Sequence, residues 1–307
     1  MVELETVRLG RTELRPKSLG LGAAWLDGGS ERETIRAIHR AIELGINYID
    51  TYPRATEERW GRALVGGLRE KVYLQSKVSP PTVNGRKDFS AAATRRSVEN
   101  SFRKLQTDYL DAVLIHDPID IEESLAQGYA LDELAKMKAE GRLGHIGLGV
   151  RSHDFHRRAI ESGQIEIILT FLDYTLIEQS AAQSTLPLAR EHDVGVIMAS
   201  PLAMGALNGK EPEQKDELRR ARKQNPKAEP KAYAMWRWCK ERGVNIRHLA
   251  IQFCLAAPIE GIVMFGPANI QEVEEGYKAA TVQIPPGIWD EFEEEFGISA
   301  LRKQNGC

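Results

Sequence analysis

Short apolar runs alternate with amphipathic segments along most of this 307-residue chain. In the segment after the first run, Ser30 and Glu33 have the spacing of a helix capping box, and Ile35 and Ile38 begin an apolar stripe. Strands that alternate with helices in this way are parallel and joined by helical crossovers. The apolar runs span 19–22, 46–49, 72–76, 110–115, 145–149, 165–170, 194–198 and 261–265. Eight repeats favour an α/β fold with a closed (β/α)8 TIM barrel over an open doubly wound sheet.

Additional elements are predicted at both ends of the chain. Residues 7–15 carry a Gly-Arg-Thr turn signal at 10–12 and predict an N-terminal β-hairpin that closes the bottom of the barrel. Extra C-terminal helices are predicted at 233–241, 249–256 and 289–296. We therefore expect residues 1–307 to form a single barrel domain.

The stretch 208–231 breaks the alternation, because it is long and strongly charged and includes Lys215, Arg219 and Lys227. Two interpretations stay open. It is either a charged insertion that lies over the barrel mouth and contacts phosphate, or a solvated helix followed by a linker.

Composition narrows the class of partner. The formal charge of −3 and the isoelectric point near 6.2 give no overall attraction for nucleic acid or an anionic membrane. The three cysteines lack the spacing of a zinc site or a disulfide framework, and no apolar stretch is long enough to span a bilayer. We predict a soluble, cytoplasmic protein without a metal, whose partner is a small molecule; the pattern does not indicate an oligomeric state.

Three polar residues end consecutive apolar runs: Asp50, Lys77 and His116. Singly, each has an ordinary structural explanation, since an aspartate can cap a helix, a lysine is usually solvated and a histidine is often packed. In a closed parallel barrel all three would meet at one mouth. A paired aspartate and lysine beside a phenol, with a histidine opposite, suit the polarisation of a carbonyl oxygen.

These motifs, taken in order, resemble the aldo-keto reductase superfamily over nearly the whole chain. Among its branches, the segments at 170–174 and 251–256 are most similar to the bacterial aldose and galactose 1-dehydrogenases. The motifs that carry the resemblance lie at 9–12, 19–22, 45–51, 76–77, 109–116 and 200–202.

The resemblance implies a barrel that binds a nicotinamide cofactor across its mouth without a Rossmann domain. It also implies four catalytic roles: an aspartate, a lysine that favours the ionised form of a tyrosine, that tyrosine, and a histidine that orients the substrate. Asp50, Lys77 and His116 match three of these roles.

The catalytic tyrosine does not match. In the family it lies five residues after the aspartate and four before a glutamate, and these counts reach Ala55 and Pro53 here, so the loop is two residues short. Tyr52 is the nearest phenol and is predicted either to take the catalytic role or to pack in the wall of the site. Two residues are candidates for substrate contact, namely Trp25 and Arg54. Arg54 could hold an anionic substrate or pair with a neighbouring glutamate.

The resemblance also supplies a set of cofactor-binding candidates: Gly22, Ala23, Gly149, Phe171, Ser200, Leu202, Gly205, Gly266, Gln271 and Glu275. Several depart from the family pattern. Gly149 and Val150 replace a Ser-Asn pair, Phe171 replaces a glutamine, and Ala199 replaces a stacking aromatic residue.

Glu272 and Glu275 would oppose a 2′-phosphate, which favours NAD over NADP, whereas the basic stretch after Asn208 argues the other way.

Three functions remain open. The first is an NAD(P)-dependent oxidoreductase that transfers hydride between nicotinamide and a small polar carbonyl or sugar hydroxyl. The second is a non-redox lyase, dehydratase or isomerase that uses Lys77 and His116 as base and acid. The third is a non-catalytic family member that binds a ligand.

Overall fold

A computed structural model describes residues 3–54, 56–80, 82–83, 86–212, 228–285 and 287–298. Eight parallel strands close into a barrel in the order β1, β2, β3, β6, β7, β8, β9 and β10, which confirms the predicted fold class. The strands are β1 (Leu19–Gly22), β2 (Tyr48–Asp50), β3 (Tyr73–Val78), β4 (Thr82–Val83), β5 (Arg86–Lys87), β6 (Leu110–His116), β7 (Leu143–Gly149), β8 (Ile167–Phe171), β9 (Gly195–Ala199) and β10 (Gly261–Phe265). The short β4 and β5 form a separate antiparallel ribbon after β3.

Helices surround the barrel and follow the predicted segments within a few residues. The helices of the described ranges are α1 (Glu31–Glu43), α2 (Glu57–Ala63), α3 (Ala91–Leu105), α4 (Ile121–Leu125), α5 (Ala130–Ala139), α6 (His153–Glu161), α7 (Thr185–Glu191), α8 (Ala228–Glu241), α9 (Ile246–Leu255), α10 (Ile270–Thr281) and α11 (Ile288–Phe296). The capping box of α1 is present, with Ser30 and Glu33 bonded reciprocally. Of the charged stretch 208–231, residues 213–227 lie outside the described residues.

The N-terminal segment closes the bottom of the barrel. Its two arms run antiparallel as in the predicted hairpin, with a bridge between Thr6 and Lys17 and backbone hydrogen bonds from Val7 to Pro16, from Leu9 to Leu14 and from Ser18 to Glu5. Leu9 is fully buried among the residues that fill the barrel interior. Gly10 adopts a left-handed conformation (φ 53°) against Gly195, where a Cβ atom would come within 2.1 Å of the backbone nitrogen. The turn therefore requires glycine.

The barrel interior changes from apolar to polar toward the carboxyl ends of the strands. Side chains alternate along a strand, so every second residue points inward. Leu114 lies in the apolar interior, and two residues later His116 ends β6. Asp50 likewise ends β2, and Lys77 is the penultimate residue of β3. These three side chains consequently meet at one end of the barrel. None of the described helices is both long and apolar enough to cross a bilayer.

Candidate active site

Asp50 and Lys77 form a buried ion pair at the carboxyl end of the barrel. Their residues are 8% and 5% exposed. Lys77 Nζ donates to Asp50 Oδ1 and, at 2.8 Å, to the backbone oxygen of Thr51. A buried charge is stable only when it is paired and hydrogen-bonded, so each member of this pair fixes the other.

Hydrogen bonds from Gln75, which is itself held by Tyr48, orient the Asp50 carboxylate. Gln75 Nε2 donates to Asp50 Oδ1 at 2.6 Å, and Gln75 Oε1 accepts from the hydroxyl of Tyr48 at 2.8 Å. Burial raises the pKa of Tyr48 well above its ordinary value, so the phenol stays a neutral donor and sets the orientation of the Gln75 amide. Gln75 and Tyr48 were not predicted as site residues. The sequence does contain a signal for Gln75, because it precedes Lys77 by two positions and side chains two apart on a strand point to the same face.

The loop between β2 and α2 is held at both ends. Glu57 is buried and accepts hydrogen bonds from the hydroxyls of Thr51 (3.3 Å), Ser76 (2.8 Å) and Ser101 (3.0 Å). Between these anchors, the amide of Arg54 donates to the carbonyl oxygen of Tyr52 at 2.6 Å, which closes a three-residue turn around Pro53. The fixed φ of proline suits such a turn. The short loop thus projects Tyr52 directly from the end of β2.

Tyr52 lies beside the other three candidates. Its ring meets His116 edge-on, with 5.2 Å between centroids and 83° between planes. Lys77 Nζ lies 5.9 Å from the centroid of the Tyr52 ring. The Tyr52 hydroxyl, however, is hydrogen-bonded to Ser79 Oγ at 2.8 Å rather than to Lys77. Ser79 was not predicted, because nothing in the sequence indicates the direction of the phenol.

His116 is a neutral imidazole in this environment. Burial, together with the positive charges of Lys77, Lys87 and Arg54, lowers its pKa to about 3. Its Nδ1 is buried without a hydrogen-bond partner in the described structure, and lies 3.6 Å from a carboxylate oxygen of Asp117. A neutral imidazole can donate one hydrogen bond to a substrate oxygen and accept another.

The low pKa of His116 predicts a pH-dependent contribution to stability. Below its ordinary pKa of 6.5 the unfolded chain binds a proton that the folded protein excludes, so stability is present above pH 6.5 and is lost as the pH falls toward 3. Between pH 6.5 and about pH 4.5 this loss is about 2–3 kcal/mol. Urea unfolding of wild type and His116→Gln at about pH 7.5 and about pH 4.5 measures it. The variant is expected to lose less stability on acidification, and an equal loss in both proteins would contradict the assignment of His116.

A cavity of about 170 Å³ lies beside this cluster, between the loops after β1, β9 and β10. Five of the predicted cofactor-binding residues line it: Gly22, Ser200, Leu202, Gly205 and Gly266. Gly22 is the last residue of β1 and pairs in register with Asp50. The cavity therefore adjoins the buried ion pair.

The backbone around this cavity suits the phosphates of a dinucleotide. Ser200, Ala203 and Met204 all have positive φ (62°, 48° and 57°), which is uncommon outside glycine and occurs where a functional loop is held in a strained form. The start of α10, capped by Asn269, forms the opposite side. The residues present fit the phosphate part of a nicotinamide dinucleotide.

The remaining predicted cofactor and substrate residues are placed as follows. Ala23 is buried and its amide donates to the carbonyl oxygen of Asp50, whereas Ala24 lines the cavity. Trp25 also lines this cavity and packs on Gly266, where a Cβ atom would lie 2.8 Å from the indole. Trp25 therefore borders the cavity that several cofactor-binding candidates line. Its contact with substrate stays a prediction, as does that of Arg54, which packs on Tyr52.

Gly149 and Phe171, two further cofactor-binding candidates, end β7 and β8 at the barrel mouth. A Cβ atom on Gly149 would lie 3.3 Å from His116 Cδ2, so glycine leaves room for the imidazole. Phe171 is half-buried against the residues that fill the barrel interior. Neither residue offers a side-chain amide partner for a carboxamide.

The last two cofactor-binding candidates, Gln271 and Glu275, are hydrogen-bonded to each other, and Glu275 also pairs with Arg247. Gln271 Nε2 donates to Glu275 Oε1 at 3.2 Å, and Arg247 Nη1 donates to Glu275 Oε2. Arg247 lines the cavity, but its Nε and Nη2 atoms are held by the carbonyl oxygen of Asn208. Arg247 was not predicted from sequence, because its partner lies on the neighbouring helix.

Comparisons with known proteins agree with the barrel fold. The model of the aldo/keto reductase family matches residues 18–294. The L-galactose dehydrogenase of Arabidopsis thaliana is 31% identical over 295 residues, which cover 92% of this chain and 89% of that protein. The D-threo-aldose 1-dehydrogenase of a Pseudomonas species is 26% identical over 307 residues, covering 90% and 93%. A solved putative aldo-keto reductase from Pseudomonas aeruginosa has a TM-score of 0.68 at 27% identity, covering 91% and 96%.

Proposed function

The chain belongs to the aldo/keto reductase family and is an NAD(P)-dependent oxidoreductase, and we propose that it oxidises the anomeric hydroxyl of an aldose, with NAD⁺ as the preferred cofactor. The observation that carries this proposal is the meeting of the Asp50–Lys77 pair, neutral His116 and Tyr52 beside the cavity that adjoins Gly22. Two relatives named as sugar dehydrogenases support the aldose. They also favour the redox function over the lyase and the non-catalytic alternatives.

The bound nicotinamide supplies the acceptor for the hydride from C1 of the sugar, and the protein handles the proton. As the C1–H bond breaks, the C1–O single bond becomes a C=O double bond and the hydroxyl proton leaves. The aldose thereby becomes a lactone. His116 donates a hydrogen bond to the substrate oxygen. Tyr52 accepts the departing proton while it passes its own proton to Ser79 along their 2.8 Å hydrogen bond, and Ser79 in turn releases its hydroxyl proton to water. The same steps in reverse reduce a carbonyl.

Lys77 and Arg54 assist this transfer by their charge. Lys77 Nζ lies 5.9 Å and Arg54 Cζ 4.7 Å from the centroid of the Tyr52 ring. Positive charge at this distance stabilises negative charge that develops on the phenolic oxygen or the substrate oxygen. Asp50 holds Lys77 in position and keeps it from rotating into solvent.

The preference for NAD rests on the charges around the far end of the cavity. The Glu272 carboxylate lines this cavity, and Glu275 neutralises Arg247. Among the described lining residues, a 2′-phosphate would meet the negative charge of Glu272, and the lining arginine, Arg247, is already paired with a carboxylate. A ribose hydroxyl can instead donate to a carboxylate, as it does in dinucleotide sites of other folds.

Glu275→Gln is expected to shift this preference toward NADPH. The substitution removes the carboxylate that occupies Arg247, so the guanidinium becomes available to a 2′-phosphate, and the ratio of NADPH to NADH affinity rises by about tenfold or more. Quenching of tryptophan emission by each cofactor measures the ratio. Glu274→Gln is the matched control, since Glu274 lies on the same helix but pairs with Arg40 outside the cavity. An unchanged ratio in Glu275→Gln would reject the role of this pair.

A two-part experiment tests the proposed function. The first part titrates the protein with NADH and NADPH, and binding of at least one of them is expected below millimolar concentration. The second part supplies NAD⁺ with a panel of aldoses and follows NADH formation by absorbance. Failure to bind either cofactor, or binding without turnover of any aldose or aldehyde, would reject the proposal.

We also propose a cytoplasmic location. Cys239 and Cys254 are free thiols within the barrel's buried shell, which suits a reducing compartment.

A further inference from the structure

Two cations flank the mouth of the site without a carboxylate partner. Arg54 stacks on the Tyr52 ring from the β2–α2 loop, with its Cζ 4.7 Å from the ring centroid. Lys87, on the ribbon strand β5, contacts the backbone oxygens of His116 (3.4 Å) and Asp117 (3.1 Å). Within the described residues, neither Arg54 nor Lys87 forms an ion pair.

Two hydrogen bonds hold the backbone of Arg54. Its amide closes the turn around Pro53, and its carbonyl oxygen accepts a hydrogen bond from Lys104 Nζ at 2.9 Å. The stacking on Tyr52 then holds the guanidinium next to the candidate catalytic phenol. A cation held in this way loses little side-chain entropy when it binds an anion, which makes the interaction more favourable than that of a freely rotating surface residue.

The charges around His116 leave an excess of positive charge. Lys77 is neutralised by Asp50. Of the remaining described groups that surround the imidazole, Arg54 and Lys87 are positive and Asp117 is negative, with its carboxylate 3.6 Å from His116 Nδ1. The three cations act on His116 in the same direction, which lowers its pKa. One positive charge therefore stays uncompensated beside the place where the substrate oxygen must bind.

We propose that the substrate carries a carboxylate, which binds to Arg54 and Lys87 a few bonds away from the carbon that reacts at His116. In terms of the proposed function, on which this inference rests, the substrate is a sugar acid such as a uronate rather than a neutral aldose. Arg54 offers the planar pair of N–H groups that matches a carboxylate, and Lys87 supplies a second charge from β5, where its Nζ contacts the backbone oxygen of His116. A neutral sugar would leave both cations without a partner in the complex.

Matched sugars that differ only at C6 test this proposal. D-glucuronate is compared with D-glucose, and D-galacturonate with D-galactose, by calorimetric titration of the protein with and without NADH and by the rate of NADH formation. At least one uronate is expected to bind about tenfold or more tightly than its neutral partner, because its carboxylate would form charge-assisted hydrogen bonds with Arg54 and Lys87. The preference should weaken as salt concentration rises.

Variants assign the preference to the two cations. Arg54→Gln and Lys87→Gln are each expected to reduce the ratio of uronate to neutral-sugar affinity by about tenfold, and Arg54→Lys to reduce it less. Arg157→Gln is the matched control, because Arg157 is an exposed arginine on α6 that pairs with Asp154. Equal or undetectable binding of both members of each pair, or a preference that persists in the Arg54→Gln/Lys87→Gln double variant, overturns the proposal.

The same data separate this proposal from the proposed function. Tight uronate binding without NADH formation from any sugar would reject the oxidoreduction and leave the carboxylate site standing. Turnover of neutral aldoses with no preference for uronates would reject the carboxylate site and leave the proposed oxidoreduction standing.

Discussion

Lys77→Met is expected to lower kcat/KM by about 10³-fold or more. Methionine keeps much of the length of the side chain but removes the charge that lies 5.9 Å from the Tyr52 ring and the donor to the backbone of Thr51. Steady-state rates with NAD⁺ and the substrate found in the sugar panel measure the change. An activity within tenfold of wild type would contradict a catalytic role for Lys77.

The same substitution leaves Asp50 buried without its partner, which costs about 3–5 kcal/mol of folding stability. A loss of activity could then reflect unfolding alone. The Asp50→Asn/Lys77→Met double variant removes both charges, so we expect it to regain most of the stability lost in Lys77→Met. If it folds like the wild type and stays inactive, the charge of the pair is required for chemistry. Recovery of activity together with stability would mean that the pair is only structural.

Tyr52→Phe is expected to reduce kcat by about 10²–10⁴-fold, the range that a positioned acid or base contributes. Phenylalanine keeps the ring that packs on His116 and beneath Arg54, so the substitution isolates the hydroxyl. Cofactor affinity, measured by fluorescence quenching, reports whether the site is otherwise intact. An unchanged kcat would remove Tyr52 from the proton path.

Ser79→Ala distinguishes a relay from a simple hydrogen bond. It leaves the phenol but removes its partner at 2.8 Å, so a loss smaller than that of Tyr52→Phe is expected, about tenfold. A loss in Ser79→Ala that equals that of Tyr52→Phe would indicate that the proton leaves Tyr52 only through Ser79. No loss would indicate that the proton leaves Tyr52 by another route.

The barrel was predictable because its signal is local and repeated. Each strand is a short apolar run, and the chemistry-bearing residues follow those runs where parallel strands share one edge. Asp50, Lys77 and His116 could therefore be assigned to one mouth from their positions alone. Even the change from Leu114 to His116 follows the two-residue alternation of a strand.

The parts of the site that sequence did not reveal depend on where loops and helices meet. The partner of the Tyr52 hydroxyl depends on the turn around Pro53 and on the path of the chain after β3, and neither has a periodic signal. Trp25 lines the cavity because the loop after β1 packs on Gly266, which lies more than 200 residues later in the chain. The Arg247–Glu275 pair joins two helices, and no spacing within either helix indicates it.

Transfer of deuterium from an aldose labelled at C1 tests the proposed chemistry most directly. The enzyme is incubated with NAD⁺ and the labelled sugar, and the NADH formed is examined by NMR. If hydride transfer occurs at the proposed site, the deuterium appears at C4 of the nicotinamide. The Lys77→Met variant is then expected to form almost no deuterated NADH. Loss of the deuterium to water without NADH formation would contradict hydride transfer and would identify a non-redox acid–base enzyme on this barrel.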